Sequence, residues 1–147
     1  MKKLLFVVVL AACGGGDTKV VALDSGGEND LCSYLLGHQP AKRTIDCGGG
    51  MMVTVGGAST ETQAQCVASI EKTKTDHPSC TATVSETENC FDAQNSQSDA
   101  WYCSQLTPNP QAEPSECAAI INASCSGSST PQLSTLTSPA LSVETER

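Results

Sequence analysis

The sequence predicts a small, disulfide-rich, mainly α fold: three to four short helices stapled by four disulfides, with a flexible N-terminal stalk and a disordered C-terminal tail. Three observations carry this expectation. Beyond Cys13 there are eight cysteines, Cys32, Cys47, Cys66, Cys80, Cys90, Cys103, Cys117 and Cys125, an even number suited to a bridged framework. Large aromatics are scarce, only Tyr34, Phe91, Trp101 and Tyr102 after the first dozen residues, so a conventional large core is not available. Finally, apolar residues recur at helical spacing around several of the cysteines.

The elements are expected in the following order. Residues 14–29 hold two glycine clusters, Gly14-Gly15-Gly16 and Gly26-Gly27, which suit a stalk. The short apolar stretch at residues 20–23 is placed to pack on the domain. Asp30 is a candidate cap for a helix carrying Cys32, Tyr34, Leu35 and Leu36 and ended by Gly37. Met51–Val55 is apolar between glycine clusters and reads as a short strand or a packed loop. Thr60 and Gln63 have capping-box spacing ahead of a helix that puts Cys66, Val67 and Ile70 on one face. Ser85 and Glu88 repeat that spacing before Cys90 and Phe91. Pro114, Ser115 and Glu116 open another helix, carrying Cys117, Ile120 and Ile121. A weak repeat, at Gln65-Cys66-Val67, Asn89-Cys90-Phe91 and Glu116-Cys117-Ala118, suggests helices with inward cysteines and loop cysteines tying the connections. Twelve of the twenty-two residues 126–147 are Ser, Thr or Pro, the composition of a disordered tail.

The start of the chain addresses location. Lys2 and Lys3 precede an apolar run of seven residues, 4–10, followed by Ala11-Ala12-Cys13. This is the anatomy of a secretory signal peptide, and the run is far short of the roughly 20 residues that span a bilayer. Leu10-Ala11-Ala12-Cys13 resembles the lipobox of bacterial lipoproteins. The resemblance implies cleavage before Cys13 and diacylglyceryl transfer to its sulfur, and Gly14, where Asp would retain the protein at the inner membrane, implies sorting to the outer membrane. Outer-membrane lipid, reached through acylated Cys13, is then the first partner. Firm anchoring follows from more than one chain at about 0.8 kcal/mol per buried methylene. The cysteine-and-helix layout loosely resembles the cysteine-rich lipoproteins of myxobacterial-type genomes, a family from which no activity is transferred. The expected organisation is a signal peptide at 1–12, the lipidated cysteine and stalk at 13–29, the cysteine-rich helical domain at 30–125, and the tail at 126–147.

Export places the eight cysteines in an oxidising compartment, where disulfides form. Which cysteines pair is left open, since eight allow 105 pairings. Zinc is disfavoured, because no two cysteines lie closer than eight positions apart and structural zinc sites use close pairs. A dithiol redox centre lacks its C-x-x-C for the same reason. No cofactor is expected. Losing Lys2 and Lys3 leaves six basic against sixteen acidic residues, a balance that disfavours nucleic acid.

Candidate chemistry is sparse. Ser69-Ile70-Glu71-Lys72 has the S-x-x-K spacing of serine–lysine hydrolases, but K-T-G is absent, and an exposed helix face accounts for the same residues. His77, between Asp76 and Pro78, reads as a turn residue, and His38 as a helix-end cation. Trp101-Tyr102, beside Cys103, should pack over a disulfide; exposed, the pair would be a binding hot spot. The leading functional expectation is a non-enzymatic, membrane-anchored binding or structural module whose partner is an envelope protein or polymer. The alternatives are a small-ligand-binding or inhibitory module with a pocket among the bridged helices, and a serine hydrolase using Ser69 and Lys72.

Overall fold

The structure, a computed structural model, describes residues 16–122, 124, 125 and 142–145. The signal-peptide and Cys13 readings, and most of the tail, lie outside the described residues. Within them the chain is small, disulfide-rich and mainly α. Four helices form: α1 (Ser25–Gly37), α2 (Gln63–Asp76), α3 (Val84–Asn95) and α4 (Asp99–Ser104). A sheet of order β1-β2-β3 is built from β1 (Arg43–Asp46), β2 (Met51–Val55) and β3 (Ser142–Thr145), antiparallel throughout. Single 3-10 turns sit at Val20–Ala22 and Ser115–Cys117.

Each α-helix starts at a side-chain cap; α1, α2 and α3 do so in a different frame from the one expected, and α4, capped by Ser98, is a helix the sequence did not signal. Asp24, not Asp30, caps α1 by accepting the Gly27 N–H at 2.9 Å. The earlier start includes Gly26 and Gly27, whose helix propensity is about 1 kcal/mol below alanine each. It is retained because it buries Glu28, Leu31, Cys32 and Leu35 along one stripe. Residues 25–29, expected in the stalk, are therefore the first turns of α1. The apolar stretch before them does pack on the domain: Val20 and Leu23 are buried, and the Val20 N–H donates to the Ala82 carbonyl at 2.9 Å.

The capping boxes of α2 and α3 are Thr62–Gln65 and Thr83–Glu86, each two residues from the expected pairs Thr60–Gln63 and Ser85–Glu88. For α3 the frame is set non-locally. Lys19 bridges Thr83, and the Val84 and Ser85 N–H groups donate to the carbonyls of Thr18 and Gly16. Cys66, Ile70 and Thr73 of α2 face inward, as do Thr87, Cys90 and Phe91 of α3. The helix expected after Pro114 is only the 3-10 turn Ser115–Cys117, although Cys117 and Ile120 are buried as anticipated and Ile121 is exposed.

Two apolar clusters share the interior. The larger gathers α1, α2, α3 and both 3-10 turns around Leu31, Leu35, Ile70, Phe91 and Ile120. Three buried bridges cross it: Cys32–Cys66 joins α1 to α2, Cys90–Cys117 joins α3 to the second 3-10 turn, and Cys80–Cys125 closes the end of the unit. Helix-borne cysteines thus pair with each other as well as with loops. The smaller cluster is Ile45, Val53, Val55, Trp101 and Tyr102, with the half-buried Cys47–Cys103 bridge beside it.

The sheet supplies that second cluster. β1 and β2 are joined through Gly48, Gly49 and Gly50, all at positive φ, the conformation glycine adopts without penalty. Gly56 closes β2 at φ 72°, where a Cβ would lie 2.5 Å from the Pro40 carbonyl oxygen, so no larger residue fits. Within the segment expected to be a disordered tail, residues 142–145 instead form β3, paired along β2 from Met51↔Thr145 to Thr54↔Ser142.

Candidate functional site

The residues singled out in the sequence do not converge. Lys72 Nζ is hydrogen-bonded to Asp76 one turn along α2, which commits the ammonium away from Ser69. The Ser69 carbonyl accepts from Thr73 Oγ1 at 3.0 Å. His77 ends α2, its N–H donating to the Thr73 carbonyl at 2.8 Å and its carbonyl accepting from the Cys80 N–H at 2.9 Å. That is the turn expected of Asp76-His77-Pro78, and Asp76 is occupied by Lys72.

Trp101 and Tyr102 lie inside the second cluster, at 5 % and 0 % exposure, so the hot-spot reading is corrected. Both hydrophobic rings are needed to cover the small sheet, and each polar tip finds a partner, as buried Trp and Tyr require. Trp101 Nε1 donates to the Ala112 carbonyl at 3.1 Å, and the Tyr102 hydroxyl donates to the Gln94 carbonyl at 2.7 Å. The rings meet edge to face at 5.2 Å. The Arg43 guanidinium stands 5.4 Å from the Tyr102 centroid and pairs with Asp99 at 3.3 Å, clamping β1 to α4. Packing beside a disulfide, the other expectation for this pair, is what the structure has.

The polar grouping that does form lies where α1 and α3 run side by side, and only its helix faces, not a motif, bring it together. Tyr34 and His38, one turn apart on α1, stack at 4.0 Å with 21° between their planes. His38 Nδ1 lies 2.9 Å from the Tyr34 carbonyl. A carbonyl only accepts, so Nδ1 carries the proton and Nε2 is the acceptor of the neutral ring. The Tyr34 hydroxyl donates to Asp92 Oδ2 at 2.8 Å, and Asn95 Nδ2 donates to the His38 carbonyl at 3.3 Å. Glu88 lies one turn before Asp92 on α3. Burial, and then the Asp92 charge, hold its carboxyl above the usual range, against the lowering effect of His38. The sequence marks His38 as a helix-end residue but does not link it to Glu88 or Asp92, because no local spacing relates α1 to α3.

The chemistry open to this corner is modest. It presents an acidic pair and a stacked imidazole, suited to hydrogen bonding with a polar or cationic partner. Among the described residues no group of three His, Cys, Asp or Glu side chains is arranged to hold a metal ion.

The phenols report this packing. Burial first, then the hydrogen bond to Asp92 and the charges of Asp92 and Glu88, push the Tyr34 hydroxyl up to about 12. Burial also raises Tyr102, opposed by Arg43 and assisted by Asp99. For an acid whose folded pKa is raised, the folded state holds its proton after the unfolded chain has lost it. The stability tied to Tyr34 is therefore complete below the ordinary phenol value of about 10 and is lost as pH rises toward 12. An ultraviolet titration of the native protein is expected to show no phenolate wave at the ordinary tyrosine midpoint, and Asp92→Asn should move the Tyr34 wave down. A native wave of one tyrosine at the model-compound position would refute the packing of that ring, and a wave of two the packing of both.

The fold and its bridges define the class: a four-disulfide helical module with a small sheet packed on its side. Comparison with protein-family models, with curated proteins and with solved structures finds no match. Among the described residues, no helix is long and apolar enough to cross a membrane.

Proposed function

We propose that this chain is an envelope lipoprotein, held at the outer membrane through acylated Cys13, whose disulfide domain is a non-enzymatic binding or structural module. The observation that carries the reading is the cysteine balance. Eight of the nine cysteines are consumed in four internal bridges, and the one left over is Cys13, at the end of the basic, apolar and small-residue run. An exported chain with few aromatics needs such bridges, and they persist only in an oxidising compartment. The pairing of the Lys72 ammonium with Asp76 rather than with Ser69 favours a scaffold over a hydrolase.

The test is mass spectrometry of the protein extracted from its own membranes in mild detergent, without reductant. The reading requires a mass that begins at Cys13, carries acyl chains and lacks eight hydrogens. A chain that still begins at Met1, or that is recovered from the medium without lipid, would remove the anchor. A bound small molecule retained through desalting would transfer the assignment to a ligand-binding module.

A further inference from the structure

The two neighbours of β2 are attached to it very differently. β1 is joined by a tight turn, with the Cys47 N–H donating to the Met51 carbonyl at 2.9 Å and the Met51 N–H to the Gly48 carbonyl at 3.1 Å. Both backbone groups of Met51 therefore point toward β1. Groups in a strand alternate in direction, so Met52 and Thr54 turn theirs toward β3. Without β3 these would form an open edge, ready to pair with another strand.

β3 reaches that edge from far along the chain. The last cysteine is Cys125, so no disulfide holds Ser142–Thr145 to β2, whereas Cys47–Cys103 locks the turn of the β1–β2 hairpin to α4. Residues 126–141 join Cys125 to β3, and sixteen residues have a covalent reach of up to roughly 50 Å. That exceeds the diameter of a domain of this size, whose radius of gyration is about 13 Å.

We propose that the partner of this edge is a second copy of the chain: Ser142–Thr145 of one copy pairs with Met51–Thr54 of the next, in the register seen within one copy. Exchange of this kind makes the same backbone bonds between copies as within one, and so requires no new complementarity. The balance is set by concentration alone. A tether of this length supplies its own strand at an effective concentration of order millimolar, which trans pairing must match. Confinement of many copies to one membrane surface raises the competing concentration. That last step rests on the proposed anchoring; the edge and its strand do not.

The decisive experiment mixes two full-length variants. Met52→Pro removes an N–H aimed at β3 while leaving the groups that face β1, so its edge is closed and its own strand is intact. Glu144→Pro removes the strand N–H that faces Met52, so it disables the strand and leaves its edge open. Each should be monomeric alone, with four disulfides by mass and unchanged helical circular dichroism. Mixed, they should form a complex of doubled mass in native mass spectrometry, lost again on dilution. A mixture that stays monomeric up to about 1 mM, the tether's own effective concentration, overturns the proposal. Should either proline variant misfold, isotopically light and heavy unsubstituted chains are concentrated together. Dimers of mixed isotope content are expected, and a purely monomeric spectrum overturns the exchange. A different polypeptide found on the edge, released by a peptide of residues 138–147, would also overturn it. None of these readouts depends on lipid at Cys13, so anchoring and strand exchange fail separately.

Discussion

Replacing Cys32 and Cys66 together by alanine is expected to cost the fold about 4 kcal/mol, the loop-entropy value for a bridge closing 34 residues. Both sulfurs are at most 1 % exposed, between α1 and α2, so the lost atoms also leave a small void in the larger cluster. At about 4–8 °C per kcal/mol, the melting temperature should fall by roughly 15 °C or more. The whole helical unit should unfold in that one lowered transition. Cys47→Ala with Cys103→Ala makes the informative comparison. Its loop is longer, 56 residues, but this bridge ties only the hairpin to α4. Loss is expected to be local: hydrogen exchange should accelerate in β1 and β2 while α1, α2 and α3 stay protected. The half-buried position of this bridge also makes it the first to be cut by a small dithiol under native conditions. Equal protection losses in both variants would mean that the two apolar clusters are one cooperative core.

The second large effect concerns Glu28, a carboxylate at 1 % exposure on the first turns of α1. Its partner is Lys74 of α2, whose ammonium bonds Glu28 and also donates to the Leu23 carbonyl at 2.8 Å. Lys74→Met leaves the carboxylate buried without its counter-charge, a loss expected at about 3–5 kcal/mol. Glu28→Leu is expected to cost less, because the Lys74 side chain, 28 % exposed, still reaches water and Leu23. The double variant Glu28→Leu with Lys74→Met should recover most of the loss, since a well-packed apolar pair is often as stable as a buried ion pair. Denaturant unfolding of all four proteins gives the coupling directly. Additive losses would show that the two charges do not depend on each other.

This ion pair also explains a boundary that local signals misplace. Gly26 and Gly27 weaken the helix, and Asp30 is a good cap ahead of Leu31 and Cys32, so α1 reads as starting at residue 30. The burial of Glu28 against Lys74, a partner 46 residues away, together with the Asp24 cap, favours the earlier start. The two displaced capping boxes have a similar origin. Thr60, Thr62, Thr83 and Ser85 can all cap, and Gln63, Gln65, Glu86 and Glu88 can all complete a box. The frame is chosen by contacts with distant segments, as when residues 16–19 run alongside Thr83, Val84 and Ser85.

The site residues divide in the same way. The inward placement of Cys66, Ile70, Cys90 and Phe91 was legible, because helical periodicity states which face is apolar. The packing of Trp101 and Tyr102 beside a disulfide is legible too, but the sheet they cover is not, because its β1 strand, Arg43–Asp46, is mostly exposed and carries only Ile45 as a signal. The Tyr34–His38–Asp92 arrangement was invisible for the same reason: side chains on two helices meet only once those helices are packed.

The sequence by itself determined the cysteine count, the inward faces of α2 and α3, and the need for bridges in a chain with so few aromatics. These depend on composition and on periods of a few residues. The tertiary structure alone decided which of 105 pairings is used, where α1 begins, and that Ser142–Thr145 completes a sheet. Each of those is a choice among locally equivalent options. It is made by the burial and hydrogen bonding of groups tens of residues apart.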